Sequence, residues 1–407
     1  MCHHSNAERI IVSQFVKRVA LVACVFSAPL AAQDTSAARV ALDDRGLVFT
    51  APARATEVAL RFYVQPLVTL QTDDESGPVR NVGLTIRRAR ISLSGTALDP
   101  RLRFQLQFGV SRQDGASDSV GVFNALADAL VTWNWTPRFY TGIGQAKIYG
   151  NRASLTSVSE IEFSERSIVN STFALDRDAG VFTGYTLPFG NRPVLVRASV
   201  TSGEGRNAAV GDAGLAYTAR VDWQPLGAFI GNGAFSESDL KREPSSRLAV
   251  GASFSKNEDA TRIGGQTGQS LFATRDMQTT FVDAVFKRRG LAIAAEFARR
   301  TSRDPVTTSG LDSRAVFAGH GISVQASYVT SGSWLPSARV SRVTPEEAIY
   351  GAPGANERTQ TAIGLSRYLR GHRLKWQSEF GRDETRDPQT DAVVRQLYAR
   401  FGVVAGI

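Results

Sequence analysis

Apolar and polar side chains alternate with a period of two residues through most of the chain. The clearest example lies at residues 101–111, where every second residue is apolar: Leu102, Phe104, Leu106, Phe108 and Val110. Because a β-strand points successive side chains to opposite faces, this segment predicts a strand with one apolar and one polar face. The same pattern recurs at residues 60–71, 194–201, 215–224, 248–255, 374–381 and 396–403.

Short turn signals and longer polar stretches separate these predicted strands. Pro and Gly mark short turns near residues 98–100, 189–193 and 370–372, whereas residues 111–119 and 255–278 are long and polar. Short turns that alternate with long loops are typical of a transmembrane β-barrel. A water-soluble β-sandwich shows the same alternation along each strand and is the alternative fold.

Aromatic residues near the predicted strand ends favour the membrane, since such rings gather at the level of the lipid headgroups. These residues are Trp133, Trp135, Phe139, Tyr140, Trp223 and Trp376. The sequence therefore predicts an all-β fold, a transmembrane antiparallel β-barrel.

The first 33 residues have the features of a secretory signal peptide. Lys17 and Arg18 precede a short apolar run, and small residues follow it. We expect residues 1–33 to be cleaved from the chain. One alternative is a short anchor helix, although the run is shorter than the roughly 20 residues that a membrane span needs. The other is lipid attachment at Cys24.

Removal of this leader leaves a short N-terminal segment, residues 34–55, and a barrel of residues 56–407. Cys2 and Cys24 both lie in the leader, so a disulfide scaffold, a thiolate metal site and a cysteine nucleophile are excluded from the remainder. His320 and His372 stand far apart in the sequence. We expect no metal, no cofactor and no enzymatic activity; an outer-membrane hydrolase, which needs a nucleophile and a base within reach, is a less favoured alternative.

The chain is basic, with a net charge of +9, and only six of its 47 basic residues are lysines. Guanidinium groups suit repeated contact with anions, because each offers a planar fork of donors and stays charged. A genome rich in G and C would produce the same arginine bias. The basic residues are dispersed rather than clustered with aromatic residues, so we expect no nucleic-acid binding.

Several motifs in residues 83–187 occur in a familiar order. The segments are 86–95 (IRRARISLSG), 102–109 (LRFQLQFG), 128–131 (DALV), 142–147 (GIGQAK), 164–170 (SERSIVN) and 176–181 (DRDAGV). The first three segments resemble the second to fourth strands of the phosphate-selective porins O and P, and the last three resemble that family's Gly-Gln-x-Lys strand, its Glu-Arg-Ser loop and its Arg-Asp-x-Gly-Val strand entry. The resemblance implies a barrel of about 16 strands in the bacterial outer membrane, a homotrimer, and an inward-folded constriction loop with arginines that pass anions.

Alternation also predicts where the pore-lining cations lie. If the apolar face meets lipid, Arg101 and Arg103 face the lumen, and Arg88 and Arg90 share one face of the preceding strand. We expect antiparallel neighbours to bring these four guanidiniums into one patch that attracts anions. The alternative is that each arginine pairs with a carboxylate and only supports the wall.

The polar segment from Tyr149 to Asp178 is the candidate constriction loop. Anion donors on or beside it are predicted to be Lys147, Arg152, Arg166 and Arg177. Acidic residues that could hold the loop to the wall are Glu160, Glu162, Glu165 and Asp178. A purely structural role for Arg166 and Arg177 is the alternative.

The expected function is passive diffusion of small anions, such as phosphate or pyrophosphate, through an outer-membrane porin in contact with lipid. A structural barrel with a plugged lumen is the alternative.

Overall fold

The computed structural model describes residues 38–43, 45–51, 55–112, 114, 116–117, 123–208 and 214–407. The predicted signal peptide, residues 1–33, lies outside the described residues.

Twenty-two strands account for most of the described chain. The N-terminal hairpin is β1 (Arg39–Asp43) and β2 (Gly46–Ala51). The next strands are β3 (Thr56–Thr72), β4 (Val79–Ala97), β5 (Asp99–Gly109), β6 (Ala116–Ser117), β7 (Phe123–Asn124), β8 (Leu126–Thr136), β9 (Phe139–Lys147), β10 (Arg177–Leu187) and β11 (Val194–Thr201). They are followed by β12 (Ala216–Trp223), β13 (Arg247–Arg262), β14 (Ser270–Arg288), β15 (Leu291–Ser302), β16 (Val306–Ser309) and β17 (Asp312–Ala315). The last strands are β18 (Gly319–Tyr328), β19 (Trp334–Pro345), β20 (Glu357–Tyr368), β21 (Leu374–Arg386) and β22 (Val393–Gly406).

Sixteen of these strands form a closed antiparallel barrel. They are β3–β5, β8–β15 and β18–β22, and each pairs with the next along the chain. The barrel closes where β22 pairs with β3, from Tyr398 opposite Gln71 to Gly406 opposite Tyr63. The hairpin β1–β2 continues the sheet beside the first residues of β3. Closure satisfies the backbone hydrogen bonds of every barrel strand, as a lipid environment requires.

The two faces of the barrel have the reverse of the polarity found in a soluble protein. On β12, Thr218, Arg220 and Asp222 are buried, whereas Val221 and Trp223 are 44% and 48% exposed. The buried face points inward, since Arg220 donates to a backbone carbonyl of a segment inside the barrel. A soluble β-sandwich would bury the apolar face, so that alternative is wrong.

The ends of the strands correct two details of the sequence prediction. The long loop predicted at residues 255–278 is wrong, because β13 continues to Arg262 and β14 begins at Ser270. Strand pairing needs only backbone groups, so a strand can extend beyond its apolar stretch. Tyr140 lies inside the barrel with its hydroxyl 3.0 Å from that of Tyr149, and therefore does not belong to an outer aromatic belt.

The segment between β9 and β10, residues 148–176, folds into the barrel and is called the constriction loop below. It contains two short helices, α1 (Arg152–Leu155) and α2 (Ile168–Phe173). Ser167 caps α2 by accepting a hydrogen bond from the Asn170 backbone at 3.1 Å. Apolar side chains of the loop, including Val169 and Phe173, pack against inward residues of β14, β15 and β19. The loop is therefore attached by a small hydrophobic core as well as by polar contacts.

A second segment, residues 224–246 between β12 and β13, also folds inward and is called the turn insert below. The other connections at this end of the barrel are short, such as Leu98 between β4 and β5. Phe229 and Ala234 of the insert pack against Ala249 and Val285 of the wall. Lys287 holds the insert by donating to three backbone carbonyls at 2.7–2.9 Å. The alternation of apolar and polar residues did not predict this segment.

In the part of the chain that the structure describes, no helix is long and apolar enough to cross a membrane.

Candidate pore and its constriction

The constriction loop and the turn insert fill one side of the lumen and leave a cavity along the other. The loop binds the inward residues Asp222 of β12, Asp283 of β14 and Gln377 of β21, and the insert binds Lys287 of β14. The remaining cavity has a volume of about 820 Å³ and lies along β3, β4, β5, β8 and β9. We treat this cavity as the candidate pore.

The wall of the candidate pore carries cations at successive levels. Arg103 on β5 lies opposite Thr96 of β4, and Arg61 on β3 lies opposite Ser92 of the same strand. Arg90 lies two residues beyond Ser92 on β4. Since a strand rises about 6.8 Å for every two residues, the three guanidiniums are distributed along the pore rather than gathered at one point.

Positive charge dominates the described residues that line the cavity. The cations are Arg45, Arg61, Arg90, Arg103, Lys147 and Arg177, and the carboxylates are Glu57 and Asp128. Both carboxylates are already paired, Glu57 with Arg45 and Asp128 with Arg177. Arg61 and Arg103 are exposed to the cavity and have no ion pair or hydrogen bond with the residues that the structure describes. These two guanidiniums are therefore available to a solute.

Arg90 and Arg177 lie where the cavity meets the end of the barrel that carries the long connections, and carboxylates bind both side chains. The Arg90 guanidinium lies 2.5 Å from Asp114, and Nε of Arg177 lies 2.7 Å from Asp128. Arg206, from the connection between β11 and β12, pairs with Asp176 at 2.9 Å. This ion-pair cluster forms the boundary between the cavity and the loop end of the barrel.

Lys147 and Arg166 bind the constriction loop itself. The ammonium of Lys147 donates to the Ser154 carbonyl at 2.6 Å, and Arg166 donates to the carbonyls of Ala153 and Thr156 at 2.7 Å. Burial, together with the nearby charges of Arg88 and Arg90, lowers the pKa of Arg166 to about 10. Arg166 therefore stabilises the loop from within and is not among the residues lining the cavity.

Arg152 fixes the start of the constriction loop to the wall. Its guanidinium donates to Asp283 at 2.9 Å, to Asp222 at 3.0 Å and to the Ala234 carbonyl of the turn insert at 2.7 Å. Arg220 binds the same two carboxylates. This buried network holds the loop, the insert and two barrel strands together.

Arg88 is buried between β4 and the constriction loop and does not face the cavity. It is 4% exposed and donates to Gln65, to the Ser164 carbonyl and to Glu165 at 2.7–2.9 Å. Burial opposes ionisation of Glu165, but the charges of Arg88 and Arg87 outweigh burial and lower the pKa of Glu165 below its ordinary value. This pair connects the constriction loop to β4.

Glu162 and Glu237 form the contact between the constriction loop and the turn insert. Glu237 accepts a hydrogen bond from the Glu162 backbone at 2.8 Å, and Gln325 donates to both carboxylates at 2.6 and 3.0 Å. Burial, and then the negative charge of Glu237, raise the pKa of Glu162 to about 7. The strength of this contact therefore depends on pH near neutrality.

The four arginines predicted to form one patch are not brought together. Arg103 and Arg90 line the cavity, whereas Arg88 is buried against the loop. Arg101 lies at the start of β5, where it pairs with Asp99 at 2.9 Å and stacks over the outward-facing Trp133 ring at 4.7 Å. Sequence reasoning also missed Arg61, although its parity beside Phe62 already assigned it to the inward face.

A comparison with protein families identifies the chain. It matches the family described as phosphate-selective porin O and P over residues 68–360, which include most of the barrel and the whole constriction loop. The chain belongs to the phosphate-selective porin O and P family. As a member of this family it is a bacterial outer-membrane porin, a channel rather than an enzyme.

Solved structures share the fold of this phosphate-selective porin O and P family member at low sequence identity. OmpF of Salmonella typhi in complex with daunomycin is 11% identical with a TM-score of 0.55, covering 87% of this chain and 99% of that one. The outer membrane channel DcaP of Acinetobacter baumannii is 12% identical with a TM-score of 0.52, covering 86% and 97%. A loop L8 deletion mutant of OmpT from Vibrio cholerae is 12% identical with a TM-score of 0.53, covering 86% and 99%. No curated protein matches the chain significantly.

Among the residues described for this porin, no group of three His, Cys, Asp or Glu side chains could hold a metal ion.

Proposed function

We propose that this porin is a passive diffusion channel that prefers small anions. The observation that supports the proposal is the pair of unpaired guanidiniums, Arg61 and Arg103, on a cavity wall where cations outnumber carboxylates. Inorganic phosphate is one such anion, as the family description suggests. Outer-membrane lipid surrounds the exposed apolar face.

Electrostatics gives the physical basis of this preference. Charges in a narrow cavity with low-dielectric walls act over longer distances than charges on an open surface, so the cationic wall concentrates anions and repels cations. Because the cations lie at successive levels, an anion can be transferred between weak sites without being held at one of them.

Ion selectivity in a planar bilayer tests the proposal. The wild type should show an anion-selective zero-current potential under a potassium chloride gradient. Two unit charges about 7 Å from a passing ion in water imply that Arg61→Gln with Arg103→Gln lowers the anion-to-cation permeability ratio about threefold to tenfold. Arg299→Gln is the matched control, because Arg299 is on the outward face and its side chain is 60% exposed. A cation-selective wild type, or a double variant with an unchanged potential, would contradict the proposal.

A barrel with a closed lumen is the second candidate function. The observation that favours it is the burial of Arg90 and Arg177 in ion pairs where the cavity meets the long connections. Zero conductance of the folded wild type, in a bilayer where OmpF conducts, would support this candidate over the channel.

We also propose that the chain is exported, loses residues 1–33 and assembles as a homotrimer of barrels that begin near residue 56. OmpT of Vibrio cholerae, 13% identical with a TM-score of 0.51, is described in a trimer form, covering 86% of this chain and 99% of that one. N-terminal sequencing of the mature protein tests the loss of the leader, and an intact leader would contradict it. Native mass spectrometry in detergent tests the homotrimer, and a monomer alone would contradict it.

A further inference from the structure

The candidate pore has an apolar sector that an inorganic anion channel does not need. Leu130 of β8, Tyr140 of β9, and Tyr149 and Leu155 of the constriction loop line the same cavity as Arg61 and Arg103. The lumen of a porin is ordinarily polar. The barrel is closed by backbone hydrogen bonds, so its closure does not require apolar side chains in the lumen. These four residues are called the apolar strip below.

The strip is a packed surface rather than a set of isolated side chains. Leu130 and Leu155 pack against a buried cluster of Ala146, Tyr149 and Phe182. The Tyr149 ring lies edge to face with Phe182, with ring centres 5.8 Å apart. These contacts give the strip a fixed shape beside the water-filled space.

Glycine positions make room for the strip. Gly184 lies directly under Tyr140, since a Cβ atom added there would be 2.4 Å from the tyrosine ring. A Cβ atom at Gly142 would be 3.3 Å from the Leu130 side chain. Both glycines pair with inward positions of their neighbours, so the tyrosine and leucine can lie flat on the wall.

The strip begins within reach of the free guanidinium of Arg103. Arg103 pairs with Thr132, and Leu130 is the next inward residue along the same strand. Diagonal neighbours on one face of a sheet have Cβ atoms about 7–8 Å apart. A solute whose negative group contacts Arg103 therefore places a body of a few carbon atoms on Leu130.

A cation also lies at the far margin of the strip. Lys147 lines the cavity, and its ammonium donates to the carbonyl of Ser154, the residue before Leu155. A solute moving along the strip therefore leaves Arg103 and approaches an amino group that is bound to the Ser154 carbonyl of the constriction loop. The apolar and cationic parts of the wall run side by side.

From this juxtaposition we infer that the channel selects organic anions that carry a carboxylate on an apolar body, such as small aromatic or short aliphatic monocarboxylates, over inorganic phosphate. The inference rests on the proposed anion channel and specifies its solute. A guanidinium binds carboxylate through its planar fork. An adjacent apolar wall favours a solute with apolar surface to remove from water, and phosphate has none.

Bi-ionic potentials with benzoate on one side of the bilayer and phosphate on the other test the inference on the wild type alone. We expect the permeability ratio of benzoate to phosphate to exceed that of an open aqueous pore by about tenfold. A ratio at or below the ratio of their mobilities in water would overturn the inference. The zero-current potential in a potassium chloride gradient, measured on the same channels, separates failure of this inference from failure of the proposed function. A cation-selective channel would overturn both, whereas an anion-selective channel with a low benzoate-to-phosphate ratio would overturn the inference alone.

Leucine variants locate the effect. Leu130→Asn and Leu155→Asn replace the branched apolar side chain with a smaller, polar amide, and each should lower the benzoate-to-phosphate ratio about threefold. Leu155→Met, which keeps an apolar side chain, should retain most of the ratio. Heat-dependent migration on gels verifies that each variant is folded. Folded asparagine variants with the wild-type ratio would overturn the assignment of the strip.

Discussion

Arg152 should determine how firmly the constriction loop is held, and Arg152→Met removes its guanidinium while keeping an unbranched side chain. Three side-chain hydrogen bonds are lost, to Asp283, Asp222 and the Ala234 carbonyl. A hydrogen bond to a charged group contributes about 1.5–3 kcal/mol. Arg220 still binds both carboxylates, and lumen water can fill the gap, so we expect the net loss to be about 2–4 kcal/mol.

This loss should appear as motion of the loop rather than as unfolding of the barrel. A change of about 2–4 kcal/mol shifts the equilibrium between attached and detached loop roughly 30-fold to 700-fold. Single-channel recordings should show added current noise, and chymotrypsin should cleave after Phe163 or Phe173, which are buried in the attached loop. The barrel itself should keep its heat-dependent migration on gels.

Arg386→Met is the matched control for Arg152→Met. Arg386 pairs with Asp391 at 2.8 Å on the surface, where both side chains are about half exposed or more. An exposed ion pair contributes about 0–1 kcal/mol to stability, so this variant should show the same current noise as the wild type. If Arg152→Met is equally quiet and equally resistant to chymotrypsin, the buried network does not hold the loop.

Three further predictions concern pH, the loop root and the lipid face. The raised pKa of Glu162 means that the attached loop binds a proton which the detached loop releases, so attachment should weaken as pH rises from about 4.5 to about 7. Current noise should therefore be greater at pH 8 than at pH 5, and Glu162→Gln should reduce this difference; greater noise at pH 5 than at pH 8 would contradict the expected sign. Lys147→Met removes the hydrogen bond to the Ser154 carbonyl and should add current noise by loosening the root of the loop, whereas recordings as quiet as those of the wild type would show that this contact does not hold the loop. Val324→Arg, at an outward position that is 46% exposed in the middle of β18, should lower the free energy of unfolding from a bilayer by about 2–4 kcal/mol, whereas equal urea midpoints would argue against lipid at this face.

The barrel wall could be predicted from the sequence because a period of two residues assigns each side chain to a face. The alternation of Leu102 and Phe104 with Arg103 was sufficient to place Arg103 in the lumen, and the structure places it on the cavity wall. The same parity misleads at a strand end. Arg101 has the parity of Arg103 but lies at the rim, where Asp99 and Trp133 bind it.

The pairing of charges could not be predicted, because it depends on where loops fold in three dimensions. Arg90 meets Asp114 from the connection after β5, and Arg177 meets Asp128 across 49 positions of sequence. No local pattern distinguishes these paired arginines from the unpaired Arg61. The turn insert was missed for a similar reason, since its apolar residues follow no strand period and pack only against a wall already formed.

Reaction of a single introduced cysteine with a charged reagent tests most directly the claim that solutes pass along the wall of β3–β5. In Arg103→Cys, a negatively charged methanethiosulfonate should react from the aqueous phase and reduce both conductance and anion selectivity. In Ser323→Cys, at a position only 8% exposed on the filled side of the lumen, the same reagent should change neither quantity beyond the baseline of the unsubstituted chain. An inert Arg103→Cys together with a blocked Ser323→Cys would place the passage on the other side of the barrel.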